Sequence, residues 1–113
     1  GIDDYKLFEL AKNEITQLAQ TGKFNFTMAT IDCHMPKGFY VNIALIHMKI
    51  DMKIYSMQSK LINSFIDWCK SQSWYENTTI VLVGDHPTMA QQYVNDVPSD
   101  YQRTTYNCFI NSK

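Results

Sequence analysis

A run of apolar and β-branched residues over positions 78–83, Thr-Thr-Ile-Val-Leu-Val, constrains the fold of this chain more than any other feature. Such a short, nearly continuous run is typical of a central strand that is covered on both faces of a sheet. It stops at Gly84-Asp85-His86-Pro87, where glycine permits a turn and proline prevents an immediate helix start. The sequence therefore predicts a buried strand that ends in a polar turn.

Apolar residues at helical spacing predict two amphipathic helices. The first begins at Asp3 or Asp4, either of which can cap it, and ends near Gly22. The second covers residues 57–69 and is followed by a polar break. Residues 46–54 fit both an alternating strand and a helical stripe, so both alternatives stay open for that segment.

Two further segments, residues 24–31 and 105–110, are short and rich in aromatic and β-branched residues, which predicts strands. The predicted order is helix, strand, helix, strand, strand, which is typical of an α/β layered domain with helices packed on a largely parallel sheet. The 113 residues, 45% of them hydrophobic, are enough for one compact domain but not for two. Residues 1–113 are therefore predicted to be a single α/β segment.

The composition argues against several classes of protein. The formal net charge is −1, with ten basic and eleven acidic residues scattered along the chain, so neither nucleic acid nor an anionic membrane surface is expected as a partner. No run approaches the roughly 18 apolar residues that span a bilayer. The chain begins at Gly1 without an initiator Met, so a membrane anchor or export signal is still possible upstream of it.

The three cysteines do not predict any cross-link or metal site that would constrain the fold. Cys33, Cys69 and Cys108 are odd in number and form no C-x-x-C, so neither a disulfide set nor a zinc knuckle is predicted. Cys69 lies on the apolar face of the second predicted helix and Cys108 in the last predicted strand, and both are expected to be core residues. Cys33 lies beside His34 but is not favoured as a nucleophile.

Asp85 and His86 are candidate metal ligands. A carboxylate oxygen and an imidazole nitrogen suit Zn²⁺ or Mn²⁺ better than Ca²⁺, which prefers oxygen ligands alone. Successive residues of a strand point to opposite faces, so the two side chains can share one ion only if the backbone turns at Gly84. The alternative is an ordinary polar turn in which Asp85 accepts hydrogen bonds from nearby amides. Both interpretations stay open.

Asp32 and His34 lie in a second polar loop, residues 32–38, which follows the predicted strand 24–31. In layered α/β sheets ligands bind beyond the C-terminal ends of strands, and both polar loops fall at such ends. The His34 imidazole can donate a hydrogen bond to a phosphate or sulfate oxygen. Loop capping and solvation are the alternative for both residues.

Three stretches, taken in order, resemble the sulfatase-like phosphoglycerol transferases, a family within the alkaline phosphatase superfamily. Lipoteichoic acid synthases and periplasmic glucan phosphoglycerol transferases are of this type. The stretches are residues 30–39, residues 65–68 continuing to 74–83, and residues 84–89. The likeness is to the C-terminal part of the catalytic domain, covers most of the chain and is weakest from residue 40 to residue 55. It implies a partial alkaline-phosphatase-like layered domain.

The resemblance also implies an activity and a site. Asp85 and His86 match the pair that binds the catalytic divalent metal, with Mn²⁺ expected first and Mg²⁺, Zn²⁺ or Ca²⁺ as alternatives. His34 matches the catalytic loop histidine that contacts the phosphoglycerol group, and Asp32 accompanies it in substrate binding. The reaction would move phosphoglycerol from a phospholipid headgroup to a glycan or polymer acceptor.

The same resemblance implies where the rest of the site and the enzyme lie. The threonine nucleophile and the remaining metal ligands of the family would precede Gly1, so the segment is expected to be inactive alone. The family implies a cell-membrane protein with an extracytoplasmic catalytic domain, periplasmic or on the cell surface. Cys33 stands where related sequences often have threonine, a change expected to matter little.

Two competing interpretations remain. A sulfatase or a phosphoethanolamine transferase would use the same scaffold, and the nucleophile outside this chain would distinguish them. A small non-catalytic α/β binding domain, in which Asp85 and His86 only form a turn, belongs to a different class of function.

Overall fold

The computed structural model describes residues 2–34, 50–87 and 94–112, except for the side chains of residues 50–54. They belong to two compact units, Gly1–Gln72 and Ser73–Lys113, and each unit is described by itself. The described elements are two α-helices, one short 3-10 helix and a two-stranded sheet. The chain is therefore a mixed α and β protein, as its sequence predicts. The single α/β segment over residues 1–113 stays a prediction.

In the first unit, helix α1 spans Asp4–Thr21. Asp3 is its N-cap, because the Asp3 Oδ1 accepts a hydrogen bond from the Lys6 backbone N–H at 2.7 Å. Gly22 follows the last turn with φ of 121°, a conformation that side-chain-bearing residues rarely adopt. Both predicted boundaries of this helix are confirmed.

Helix α2, Ile50–Lys70, packs against α1 through aromatic side chains. The ring centroids of Phe8 and Phe65 lie 5.1 Å apart, and those of Phe65 and Trp68 lie 5.6 Å apart. This contact is part of a core in which buried apolar side chains of the two helices meet: Phe8, Ala11, Ile15, Met57, Phe65, Ile66 and Cys69. The second predicted helix and the burial of Cys69 are confirmed, whereas Cys108, which was also expected in the core, is only half-buried.

Helix α2 includes part of the segment 46–54, for which the sequence left both a strand and a helix open. Residues 50–54 are helical, whereas residues 46–49 lie outside the described residues. In the described part of the chain, neither helix is long and apolar enough to cross a membrane.

The segment of residues 24–31 was predicted to be a buried strand, and it forms no strand ladder with any other described residues. Its side chains nevertheless alternate over residues 24–29 between half-buried and exposed, with Phe24, Phe26 and Met28 on the half-buried side. Side-chain alternation can be read from the sequence, but a ladder also needs a neighbouring backbone at the right distance. The prediction of a sheet strand here is therefore wrong for the described residues.

In the second unit, strand β1 (Ile80–Val83) pairs with strand β2 (Asn107–Ile110) in antiparallel register. The positions predicted for both strands are confirmed. Val81 lies opposite Phe109, and these side chains are exposed, as is Val83, at 62% of its surface. The expectation that β1 is covered on both faces is thus not met among the described residues, and the largely parallel sheet is not seen there.

The end of β2 is tied back to the short 3-10 helix Tyr75–Asn77, which precedes β1. Asn111 has φ of 57°, in the left-handed region. Its Nδ2 donates hydrogen bonds to the backbone oxygens of Tyr75, at 2.6 Å, and Thr78, at 3.0 Å. These two hydrogen bonds hold the residues just before β1 next to the end of β2.

Candidate functional site

The turn after β1 brings the side chains of Asp85 and His86 together. The Nε2 of His86 lies 3.4 Å from the Oδ2 of Asp85. Both side chains are exposed, Asp85 at 89% and His86 at 50% of the side-chain surface. Gly84 ends the strand here, and its N–H donates to the Tyr106 backbone oxygen at 2.8 Å. Because the backbone leaves the strand at Gly84, two consecutive residues can direct their polar atoms to one point.

The His86 ring is oriented by the proline that follows it. Its Nδ1 lies 2.9 Å from the Pro87 backbone oxygen. A carbonyl oxygen can only accept a hydrogen bond, so Nδ1 carries the proton in this contact. The other ring nitrogen, Nε2, faces Asp85, and this contact is an ion pair only when the imidazole is protonated. Histidine ligands of metals commonly donate their other ring N–H to a carbonyl in this way.

The chemistry and spacing of this pair fit a divalent metal ion. Ligand atoms that lie about 2.0–2.2 Å from one ion are roughly 3.0–3.4 Å apart when they occupy neighbouring coordination positions. The separation of Nε2 and Oδ2 is 3.4 Å. Among the described residues, no group of three or more His, Cys, Asp or Glu side chains is placed to hold a metal. Asp85 and His86 therefore provide two ligand atoms.

The polar-turn interpretation also finds support at Asp85. Its Oδ1 accepts a hydrogen bond from the His86 backbone N–H at 3.0 Å. Local bonds of this kind are what aspartate commonly makes in turns. This bond uses Oδ1 and leaves Oδ2 on the side of the imidazole, so the turn and a metal contact are compatible.

Asp32 and His34 belong to a single turn in the first unit. The His34 N–H donates to the Ile31 oxygen at 2.9 Å and closes the turn. His34 is exposed, whereas only 3% of the Asp32 surface is accessible. The solvation that the sequence allowed for Asp32 is therefore wrong. Its predicted contribution to substrate binding, like that of His34, stays a prediction.

Asp32 is buried because it contacts the first residue of α1. The Asp32 Oδ2 accepts a hydrogen bond from the Asp4 N–H at 3.0 Å. In return, the Asp4 Oδ1 accepts from the Ile31 N–H at 2.9 Å, and its Oδ2 accepts from the Asp32 N–H at 3.1 Å. Asp4 is completely buried. Three hydrogen bonds thus join the start of a helix to the turn that carries His34.

The sequence predicts Asp4 only as an alternative helix cap and does not indicate its contact with the turn of Asp32. One signal was present: of two consecutive aspartates, only one can occupy the N-cap, and the other is left for a different partner. The partner is 28 residues away along the chain, so the local pattern did not identify it.

The charges and burial of this cluster affect its titration. Burial raises the pKa of Asp32 above its usual value, and the negative charges of Asp4 and Asp3 raise it further, while the hydrogen bond from the Asp4 N–H acts in the opposite direction. Burial and the charges of Asp4 and Asp32 also raise the pKa of the Cys33 thiol to about 11. At neutral pH this thiol is protonated, and a protonated thiol is a poor nucleophile.

Comparisons with protein-family models, with curated protein sequences and with solved structures found no match to this chain. The resemblance to the sulfatase-like family therefore rests on the residues of the sequence motifs and stays a prediction. Each of the two turns described above is a candidate site within its own unit.

Proposed function

We propose that this chain is the C-terminal part of the catalytic domain of a metal-dependent phosphoglycerol transferase. The enzyme moves phosphoglycerol from a phospholipid headgroup to a glycan or polymer acceptor. The observation that carries the proposal is the convergence of the His86 Nε2 and the Asp85 Oδ2, 3.4 Å apart, at the end of strand β1. This is the position where the family motif requires two ligands of one divalent ion.

In this proposal each polar turn has a distinct task. Asp85 and His86 hold the divalent metal, Mn²⁺ in the first instance, and the metal when bound neutralises negative charge on the phosphoryl group. His34 donates a hydrogen bond to a phosphoryl oxygen, for which its exposed position in the turn after Ile31 is suited. Asp32 supports the same turn from the buried side.

The open face of the small sheet supports the proposal that β1 belongs to a larger layered domain. Val81, Val83 and Phe109 are each exposed over about half of their surface or more. Water-exposed apolar residues on one side of a strand are expected to be covered in a layered α/β architecture. The proposed domain is alkaline-phosphatase-like, with helices packed on a largely parallel sheet.

The same proposal includes a location and partners. The enzyme is anchored in the cell membrane by a region that precedes this chain, and its catalytic domain faces the periplasm or the cell surface. Its partners are a phospholipid headgroup and a glycan acceptor, and nucleic acid is not among them. A formal net charge of −1 agrees with the last point.

The metal assignment is tested by adding Mn²⁺ to the ¹⁵N-labelled chain and recording paramagnetic broadening of its amide signals. We expect broadening to be strongest at Asp85 and His86 and to disappear in Asp85→Asn and in His86→Ala. Asp100→Asn is the matched control, because Asp100 is another exposed aspartate of the same unit. Broadening that is equal at Asp85 and Asp100 would reject the metal site and favour the plain polar turn of a non-catalytic domain.

The reaction is tested with the full-length protein that carries this chain. Release of diacylglycerol from phosphatidylglycerol in the presence of Mn²⁺ should be lost in His86→Ala and strongly reduced in His34→Ala, with Asp100→Asn unaffected. Hydrolysis of an aryl sulfate, or release of diacylglycerol from phosphatidylethanolamine, would instead identify the sulfatase or the phosphoethanolamine transferase.

A further inference from the structure

The turn that carries His34 is held by a residue outside the loop motif. Residues 31 and 32 each direct a backbone N–H to the carboxylate of Asp4, at 2.9 Å and 3.1 Å. The Asp32 carboxylate accepts the Asp4 N–H at 3.0 Å, which closes a ring of three hydrogen bonds. The Ile31 carbonyl then accepts the His34 N–H at 2.9 Å. Asp4 is thus linked to His34 through only two consecutive hydrogen-bonded steps.

We propose that Asp4 is a positioning residue for His34, fixing the turn Ile31 to His34 on the N-terminus of α1 so that the imidazole is presented at a constant place. The inference rests on the proposed function in one respect, namely that His34 contacts a phosphate ester. Asp4 itself is completely buried, so it would act on His34 through the turn and not by contact with the substrate.

Three features distinguish this contact from ordinary loop capping. Each oxygen of the Asp4 carboxylate accepts one of two successive amides, so the turn is held at two points and cannot rotate about a single bond. The contact is buried, where hydrogen bonds to a charged group are strong and an unpaired amide is costly. The other end is a helix that is itself packed against α2 through Phe8 and Phe65.

Positioning of this kind matters because a small displacement of a catalytic group reduces its contribution to the reaction considerably. An exposed histidine on an unrestrained loop would sample many positions. A turn fixed to a packed helix restricts the backbone as far as the His34 N–H, which is bonded to the Ile31 oxygen.

The neighbouring aspartate supplies the matched control. Asp3 also lies at the start of α1 and accepts a backbone amide, that of Lys6 at 2.7 Å, but its carboxylate contacts only the helix itself in this bond. Truncating either residue weakens the helix start. Only truncation of Asp4 removes the hydrogen bonds to the turn. Comparing the Asp4 and Asp3 variants therefore distinguishes an effect on the position of the turn from a general loss of stability.

The first measurement is hydrogen exchange of individual amides in the wild-type chain, Asp4→Ala and Asp3→Ala. We expect Asp4→Ala to accelerate exchange at Ile31 and Asp32 at least tenfold relative to amides in the interior of α2, with Asp3→Ala leaving these two amides unchanged on the same scale. If both variants accelerate exchange equally, or if neither does, the positioning role is overturned.

Asp4→Asn keeps the inference testable if Asp4→Ala fails to fold. The amide side chain is close in size to the carboxylate but offers one acceptor and one donor. We expect it to protect only one of the two amides, Ile31 or Asp32. Equal protection of both amides at the wild-type level would show that the two-point contact with Asp4 is not needed, and would also overturn the role.

The second measurement follows the His34 ring resonances in the full-length protein that carries this chain while glycerol 3-phosphate is added to each variant. The half-saturation concentration should rise at least tenfold in Asp4→Ala and stay within twofold of wild type in Asp3→Ala. If the wild-type ring does not respond at all, the proposed contact of His34 with phosphate esters is wrong, and the exchange experiment alone then decides whether Asp4 holds the turn. A wild-type response that Asp4→Ala leaves intact rejects the positioning role but keeps the proposed function.

Discussion

Asp4 and Asp32 exchange hydrogen bonds across 28 residues of sequence: the carboxylate of each accepts the backbone N–H of the other, at 3.1 Å and 3.0 Å. Both side chains are buried, Asp4 completely and Asp32 with 3% of its surface accessible. Two carboxylates so close together repel each other when both are ionised, and the amides that they accept offset part of that repulsion. The arrangement therefore has consequences for stability, reactivity and pH dependence.

The first prediction concerns the stability of the fold as a function of pH. The pKa of Asp32 is raised in the folded chain, mainly by burial, from its usual value of 3.8. Because the folded state binds this proton more tightly than the unfolded state, the fold loses stability as pH rises from 3.8 to the raised pKa, and it loses nothing further above that value. The free energy of unfolding of wild type minus that of Asp32→Asn, measured in urea, should fall across this interval.

Asp67→Asn is the control for that pH series, because Asp67 is an exposed aspartate of the same unit. Other carboxylates contribute their own pH dependence, and the difference between wild type and variant removes it. A difference that rises with pH would mean that Asp32 is stabilised as a carboxylate by its hydrogen bonds more than it is penalised by burial.

The second prediction concerns alkylation of Cys33. A pKa of about 11, compared with 9.0 for an ordinary thiol, leaves roughly a hundredfold less thiolate at pH 8. Iodoacetamide should therefore modify Cys33 about a hundred times more slowly than a cysteine in a short unstructured peptide, with the rate still rising above pH 10. Mass spectrometry of the labelled peptides identifies the site.

Asp32→Asn should accelerate modification of Cys33, because it removes one of the negative charges that raise the thiol pKa. A rate that already levels off near pH 9 in wild type would contradict the burial and charge effects described for this thiol.

The third prediction concerns the contact between the two helices. Phe65 is 8% exposed and lies between Phe8 and Trp68. Phe65→Ala should lower the free energy of unfolding by about 3–5 kcal/mol, because it removes the transfer free energy of the ring and leaves a cavity. Urea denaturation followed by circular dichroism measures the change. Tyr5→Ala, at a residue of α1 that is 53% exposed, should cost less than about 1 kcal/mol.

The fourth prediction concerns the left-handed residue after β2. Asn111→Gly keeps the backbone conformation but loses the hydrogen bonds to Tyr75 and Thr78, at a cost of about 1–3 kcal/mol. Asn111→Ala should cost roughly 1 kcal/mol more, because alanine is also strained at φ of 57°. The order of the two variants in urea denaturation is the test, and Asn107→Ala, at an exposed strand residue, is the control. If alanine is tolerated better than glycine, backbone strain is not a determinant at this position.

Much of the local structure was predictable from the sequence because its causes are local. The cap at Asp3 and the end of α1 at Gly22 depend on residues within one helical turn. The strand β1 and its polar turn follow from a β-branched run that stops at glycine. The assignment of residues 24–31 to a sheet failed because pairing requires a second backbone, which residue patterns do not supply.

For the candidate site, the sequence alone identified the residue types: Asp85 and His86 after a strand, and His34 beside Asp32 in a loop. Only the tertiary structure decided how these atoms are arranged. It brought the His86 Nε2 to 3.4 Å from the Asp85 Oδ2, and it buried Asp32 against Asp4. The physical reason is that chemical type is a property of each residue, whereas separation, burial and hydrogen-bond partners depend on how distant parts of the chain pack together.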